Sequence, residues 1–188
     1  MKQTIFLFLL LVAITVVACL IIGHIVAGSS PEESATTTPR QPELKCTPIY
    51  DVPMQEKYQQ IVREWCEHLG LDEKFVYGVI YAESGFDPDA VNERTGCFGF
   101  MQLSPAYYDR ERFSEPKWNL QAGMLELARL MCLYRDPEIA LLCYNNGETG
   151  AQRLIVNGVT STEYTRKVLD YADKLRIKGR IYEVVPNV

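Results

Sequence analysis

Apolar and polar positions divide the chain into three unlike stretches. From Ile5 to Ala27, 23 residues run on with only Thr15, Gly23 and His24 as interruptions. As a helix rising ~1.5 Å per residue, this run would reach ~34 Å, enough for a hydrocarbon core ~30 Å thick. Lys2 precedes the run, and Pro31, Glu32 and Glu33 follow it. That charge order keeps the N-terminus in the cytoplasm and exports the remainder. A secretory signal peptide usually has a shorter apolar stretch, ~7–15 residues. Val16-Val17-Ala18-Cys19 has the look of a lipoprotein cleavage box, but Leu20, Ile21 and Ile22 carry the apolar run past the cysteine. The first stretch, residues 1–28, therefore reads as a single-pass membrane anchor, with a cleaved lipoprotein or secreted form as the alternative.

Residues 29–53 have no such run. They hold Thr36-Thr37-Thr38-Pro39 and prolines at 31, 39, 42, 48 and 53. A stretch of this composition buries little and reads as an extended tether.

From Met54 onward the pattern is helical. Tyr58, Ile61, Val62, Trp65, Cys66 and Leu69 recur at three- and four-residue intervals, and Gly70 can end that helix. Asp72 is placed to cap a second helix containing Phe75, Val76, Val79 and Ile80. Residues 85–103 hold Gly85, Pro88, Gly96 and Gly99 and read as a loop with room for a short hairpin. Trp118–Tyr134 predicts a long helix. Asp136-Pro137 starts another that runs to Tyr144, and Gly150–Val156 a short one. Ser161 or Thr162 caps a last helix ending near Lys178. No segment alternates long enough to argue a sheet. Residues 54–188 thus predict one mostly α-helical domain.

Charge narrows the function classes. Lys2 is the only charged residue before Gly28, so the exported part carries 18 basic and 24 acidic side chains. A surface this acidic, without a basic block, is unsuited to the nucleic-acid backbone, and no nucleic-acid partner is expected. Two histidines and six scattered cysteines, with no CxxC or HxxxH pair, predict neither a metal site nor a cofactor. Five cysteines fall in the exported part, so at least one stays unpaired, and their connectivity cannot be read from spacing.

Glu83 is the carboxylate that stands out. It follows the apolar run Phe75–Ala82 and precedes the glycine-rich loop. The negative pole of a helix C-terminus disfavours a carboxylate, and enclosure by neighbours such as Tyr81 and Phe86 would disfavour it further. Both effects raise an acid's pKa, as a general acid for glycoside cleavage requires. On position alone, though, a helix-ending glutamate is more often structural.

The surroundings shift that balance. Glu83-Ser84-Gly85-Phe86-Asp87-Pro88-Asp89-Ala90-Val91 is followed by Gly99-Phe100-Met101-Gln102. Asn119-Leu120-x-x-Gly123, then Cys143-Tyr144-Asn145-Asn146-Gly147, then Tyr164 complete an ordered set. This set resembles the catalytic domain of the soluble lytic transglycosylases, glycoside hydrolase family 23, over about residues 56–175. The departures are Asn92 where the family has Ser, Phe100 for the Leu of its G-L-M-Q motif, and Cys143 for the Ala before Tyr144.

The resemblance implies a lysozyme-like helical fold with a cleft for a glycan strand. The substrate would be peptidoglycan, cut at the β-1,4 bond from N-acetylmuramic acid to N-acetylglucosamine. Glu83 matches the single catalytic acid/base, and the muramoyl C6 hydroxyl would attack C1 to leave a 1,6-anhydro end. Ser84, Asn92, Met101, Gln102, Tyr144, Asn145 and Tyr164 match the positions lining the cleft, and the Tyr164 hydroxyl would position Glu83. Gln102 would hold a sugar hydroxyl or acetamido group, and Asn145 would orient its turn. Asn119 and Gly123 match structural positions, a helix start and a close helix contact, and a Cys97–Cys143 bridge is compatible with the closeness of the two motifs. A goose-type lysozyme shares the fold but needs a second carboxylate, for which Glu93 is the best candidate; Asp87 and Asp89 read as turn residues. A non-catalytic glycan-binding wall protein is the rival from outside the enzymes. The partners implied are peptidoglycan strands, the membrane through the N-terminal helix, and an envelope-spanning machinery, with the catalytic domain outside the cytoplasm.

Overall fold

The computed structural model describes residues 43–112 and 115–185. The apolar run Ile5–Ala27 lies outside the described residues. No helix among those described is long and apolar enough to cross a membrane. Five helices dominate: α1 (Glu56–Leu69), α2 (Glu73–Ser84), α3 (Pro116–Tyr134), α4 (Pro137–Val156) and α5 (Glu163–Lys174). A short 3-10 turn spans Arg110–Arg112, and strands β1 (Glu43–Tyr50) and β2 (Ile177–Val185) pair into a two-stranded ribbon.

The helix ends fall where the local chemistry puts them. Gly70 takes the left-handed conformation after α1, and its amide donates to the Cys66 carbonyl. The Asp72 carboxylate accepts from the Phe75 amide at 2.9 Å and starts α2. Asp136 does the same for the Glu138 and Ile139 amides ahead of α4. Thr162, the second of the two predicted caps, forms a reciprocal capping box with Thr165. α4 is bent at Gly147 (φ 66°, ψ 158°), which separates the predicted helix ending near Tyr144 from the short one ending at Val156.

The ribbon corrects the reading of both chain ends. Residues 43–50 were expected in the tether, and residues 175–178 in the last helix. Instead α5 stops at Lys174, Leu175 turns extended, and the chain enters β2. The Asp51 amide donates to the Arg176 carbonyl at 2.9 Å beside the ribbon, and Tyr50, Val52 and Met54 are buried in the core. Among the described residues the two strands pair only with each other, so Pro48 is tolerated on an edge. No local pattern could reveal this pairing, because the two strands lie at opposite ends of the domain.

α2 is the central helix. Phe75 to Ile80 are six consecutive buried residues, the signature of a helix enclosed on all sides rather than on one face. It packs most extensively against α5 at a very close crossing: a Cβ on Gly78 would lie 2.5 Å from the Val168 carbonyl oxygen. Only glycine fits there. Val168 itself is fully buried, together with Val62, Leu120, Met124, Leu127 and Leu141 from the other helices. The central helix ends at Ser84, so its last turn delivers Glu83 from the core to the loop of residues 85–103.

Candidate active site

The last turn of α2 is closed by Gly85 in the left-handed conformation, its amide donating to the Tyr81 carbonyl. The Ser84 hydroxyl lies within hydrogen-bond distance of the Ile80 carbonyl at 3.1 Å and the Phe100 carbonyl at 2.9 Å. Ser84 thus ties the end of α2 to the loop. Glu83 is half-buried between them. The Tyr164 hydroxyl, arriving from α5, donates to Glu83 Oε1 at 2.6 Å.

Burial pushes the Glu83 carboxyl up to about 7, against the hydrogen bond from Tyr164 and the charge of Lys167, which both pull it down. No second carboxylate figures among the groups acting on it. Tyr144 and Tyr164 respond in kind: burial first, and then the Glu83 charge, hold both phenols well above their ordinary value. These two tyrosines are therefore the aromatic neighbours of the acid. Tyr81 and Phe86, expected in that role, instead form a separate cluster with Tyr171. There Tyr81 stacks on Tyr171 with ring centres 4.1 Å apart.

The loop of residues 85–103 is folded by its own polar side chains. The Asp87 carboxylate accepts from the Asp89 amide at 2.9 Å, the turn chemistry expected of it. Asn92 accepts from the amides of Arg94 and Thr95, and short antiparallel bridges join Val91 to Phe98 and Phe98 to Leu103. Asn119 is buried and clamps the loop from α3. Its Nδ2 donates to the Phe98 carbonyl and its Oδ1 accepts from the Met101 amide, both at 2.9 Å. Gly99 (φ 73°) lies so close that a Cβ would sit 2.5 Å from Asn119 Nδ2. Asn119 thus does more than begin a helix, since α3 already starts at Pro116.

Several expected site residues take different parts. Met101 is fully buried, its side chain packed where a Cβ on Gly123 would clash, so it cannot touch a glycan. Its backbone carbonyl instead accepts from the Tyr144 hydroxyl at 3.0 Å. Gln102, at a left-handed φ of 46°, spends its amide hydrogens on the carbonyls of Ala90 and Gly99, each 3.1 Å away. Only its Oε1 is left to face a sugar. Asn145 is exposed, and the residue that ties the turn is its neighbour Asn146, whose Nδ2 donates to the Leu142 carbonyl at 3.0 Å. Glu93 is exposed on the Asn92 turn. Cys97 and Cys143 are not bridged, and the five described cysteines are free thiols.

Lys167 escaped the sequence reading. Its only signal was its place three residues after Tyr164 on the same helix face. A concavity of about 450 Å³ opens elsewhere, lined by Leu69, Leu71, Phe75, Met131 and Cys132. It adjoins the N-terminal end of α2, whereas Glu83 belongs to the other end, so this hollow and the acid do not coincide.

The described residues thus form a mostly helical domain with one acid held near neutrality at the mouth of a loop. A model of the transglycosylase SLT domain matches residues 60–164, more than half of the chain, and the chain belongs to that family. Membrane-bound lytic murein transglycosylase C of Haemophilus ducreyi is 31% identical over 94 residues, covering 43% of this chain and 25% of that protein. The chain therefore spans about a quarter of that relative's length. Two solved structures share the fold. One is the 70 kDa soluble lytic transglycosylase of Escherichia coli (TM-score 0.53, 16% identity, 61% of this chain and 23% of that one). The other is the lytic transglycosylase Slt of Pseudomonas aeruginosa, solved as an inactive mutant with one glutamate changed to glutamine (TM-score 0.51, 17% identity, the same coverage).

Proposed function

We propose that this chain is a peptidoglycan lytic transglycosylase in which Glu83 is both acid and base. The observation that carries the reading is a half-buried carboxyl pushed up to about 7 and held by the Tyr164 phenol, with no carboxylate among the described groups that shift it. Near neutral pH such a group is protonated often enough to give its proton to the glycosidic oxygen. It then becomes the base it must be for the second transfer. As a carboxylate it takes the proton of the muramoyl C6 hydroxyl while O6 bonds to C1, leaving a 1,6-anhydro end. A nucleophile on the same sugar has a high effective concentration, so no water and no second acid are needed. A hydrolase working through water would need a partner carboxyl at ~5–9.5 Å.

The surrounding residues divide the work. Tyr164 orients the carboxyl. Tyr144, Ser84 and Asn119 fix the loop that forms one wall of a lysozyme-like cleft. Gln102 Oε1, Asn92 and the exposed Asn145 are the groups that would meet sugar hydroxyl and acetamido groups. That a Glu→Gln mutant of the Pseudomonas Slt is inactive is consistent with an essential glutamate here. For the remainder of the chain, residues 1–28 serve as the membrane anchor, joined to the domain by the residues that follow them. The domain then works on peptidoglycan in the cell envelope, within reach of any machinery that must cross the wall.

Digestion of purified cell-wall sacculi by the protein, with mass analysis of the released muropeptides, tests this. Anhydro products that vanish in Glu83→Gln are expected. Reducing ends would mean a lysozyme, and no products would mean a glycan-binding protein; either overturns the reading.

A further inference from the structure

One stripe of α5 grips the end of α2. Tyr164, Lys167 and Tyr171 recur at intervals of three and four residues and so share a helix face. Tyr164 donates to Glu83 Oε1 at 2.6 Å. Lys167 Nζ donates to the Ala82 carbonyl at 3.1 Å and lies 5.0 Å from the centre of the Tyr81 ring. Tyr171 stacks on that same ring. Three consecutive residues, Tyr81, Ala82 and Glu83, thus each have a partner on α5.

The lysine's place has a physical logic. The last four carbonyls of a helix find no amide partner within it. In α2 the Tyr81 carbonyl accepts from the Gly85 amide at 3.1 Å, and the Ser84 carbonyl from the Asp87 amide at 3.3 Å. Lys167 takes the Ala82 carbonyl, and its charge opposes the negative pole of the helix at the residue just before Glu83. We propose that Lys167 is a positioning residue for Glu83, anchoring the last turn of α2 through Ala82 and holding a positive charge beside the carboxyl. This rests on the reading of Glu83 as acid and base and adds the group that balances the two roles.

The groups facing Glu83 are Tyr164 and Lys167 from α5 and the phenol of Tyr144 from α4. Burial favours the neutral acid, while Tyr164 and Lys167 favour the anion. A carboxyl under burial alone would keep its proton and perform only the first of the two transfers. The lysine carries no atom into the reaction; it acts through the backbone and through its field.

A ¹³C-NMR titration of the Glu83 side-chain carboxyl in the full chain, without substrate, tests the proposal. The midpoint should rise by about 0.5–1 pH unit in Lys167→Met. It should return to the wild-type value in Lys167→Arg. It should not move in Lys174→Met, which removes the same charge further along α5, where Lys174 pairs with Asp170. The falling limb of the pH–rate profile on sacculi should move with the midpoint. An unmoved midpoint in Lys167→Met, or an equal rise in Lys174→Met, overturns the proposal, whatever happens to the melting temperature. Because the titration needs no turnover, failure of the wild type to cut sacculi would sink the functional reading and leave this result legible.

Discussion

Two glutamates in this molecule each accept a hydrogen bond from a tyrosine, and they have opposite characters. Glu83 accepts from Tyr164 at 2.6 Å, and Glu148, on α4, accepts from Tyr134 at 2.9 Å. Burial dominates at Glu83 and carries it up to about 7. Burial also raises Glu148, but the hydrogen bonds from Arg129 and Tyr134 outweigh it, and that carboxyl ends below its ordinary value. Arg129 bridges Glu148 at 2.6 Å and Glu126 at 2.8 Å, in a network whose side chains are roughly half exposed. The pairing of residue types is the same at both places. What makes one of them an acid is enclosure without a guanidinium. A motif search for Tyr beside Glu would not separate them; their surroundings do.

The most direct way to break the comparison is to neutralise each glutamate in turn. Glu83→Gln should lower turnover of purified sacculi by about 10²–10⁴-fold, the range of a lost general acid. Glu148→Gln should leave turnover within about twofold, as for an exposed side chain away from the chemistry. Comparable losses in the two variants, read from anhydro-muropeptide release, would mean that enclosure is not what distinguishes them.

The same two substitutions should move stability in opposite directions with pH. Glu83 binds its proton more tightly in the folded state, so stability falls as pH rises from its unfolded value, near 4.5, through about 7. Above that window the wild type carries a penalty of up to about 3 kcal/mol that Glu83→Gln removes. The variant should therefore melt higher than wild type at pH 8 and lose the advantage at pH 4. Glu148 behaves in reverse: its lowered pKa gives stability above the ordinary carboxylate range that fades in acid, so Glu148→Gln should melt lower at pH 8. Thermal melts at the two pH values read both signs, and parallel behaviour of the variants would refute the contrast.

How much of this contrast could be seen in the chain depends on how local its cause is. The helix boundaries at Gly70, Asp72 and Asp136 were legible because their causes are local: a left-handed glycine whose amide reaches back to the Cys66 carbonyl, and two carboxylates that accept from amides two or three residues on. Glu83 stood out because it closes an apolar run and opens a glycine-rich loop, also a local fact. Its actual enclosure was not local: Tyr144 and Tyr164 come from other helices, while the neighbours in sequence, Tyr81 and Phe86, turn to Tyr171. Met101 was expected in the cleft because the motif places it there, yet the close approach of Gly123 seals it in the core. The ribbon failed for the same reason, its two strands lying about 130 residues apart in sequence. Lys167 acts through the Ala82 backbone carbonyl, a partner no side-chain motif records.

The crossing of α2 and α5 sharpens the comparison from the packing side. A methyl at Gly78 would meet the Val168 carbonyl at 2.5 Å, so Gly78→Ala must force the helices apart. Overpacking of this kind costs about 1–3 kcal/mol. It should also lengthen the Tyr164–Glu83 contact and slow sacculus digestion, while the Arg129–Glu148 network, built on α3 and α4, stays intact. A destabilised Gly78→Ala variant with full activity per folded molecule would show that Tyr164 reaches Glu83 without help from that spacing.

The smallest effects come from removing the two phenolic hydroxyls. Tyr164→Phe deletes the hydrogen bond from the Tyr164 hydroxyl to Glu83, and this bond favours the anion. Lys167 and burial remain, so the carboxyl should titrate higher than in the wild type. The first proton transfer then survives while the second, which needs the carboxylate, slows. We expect a loss of about tenfold in rate at neutral pH, the equivalent of one charge-assisted hydrogen bond, and a falling limb displaced to higher pH. Tyr134→Phe deletes the matching bond at Glu148, but Arg129 still holds that carboxylate at 2.6 Å, so neither rate nor pH profile should change. Paired pH–rate profiles of the two variants decide between enclosure and simple hydrogen bonding. If Tyr134→Phe displaces the limb as far as Tyr164→Phe, the tyrosines act on the reaction through something other than the carboxyl each one touches.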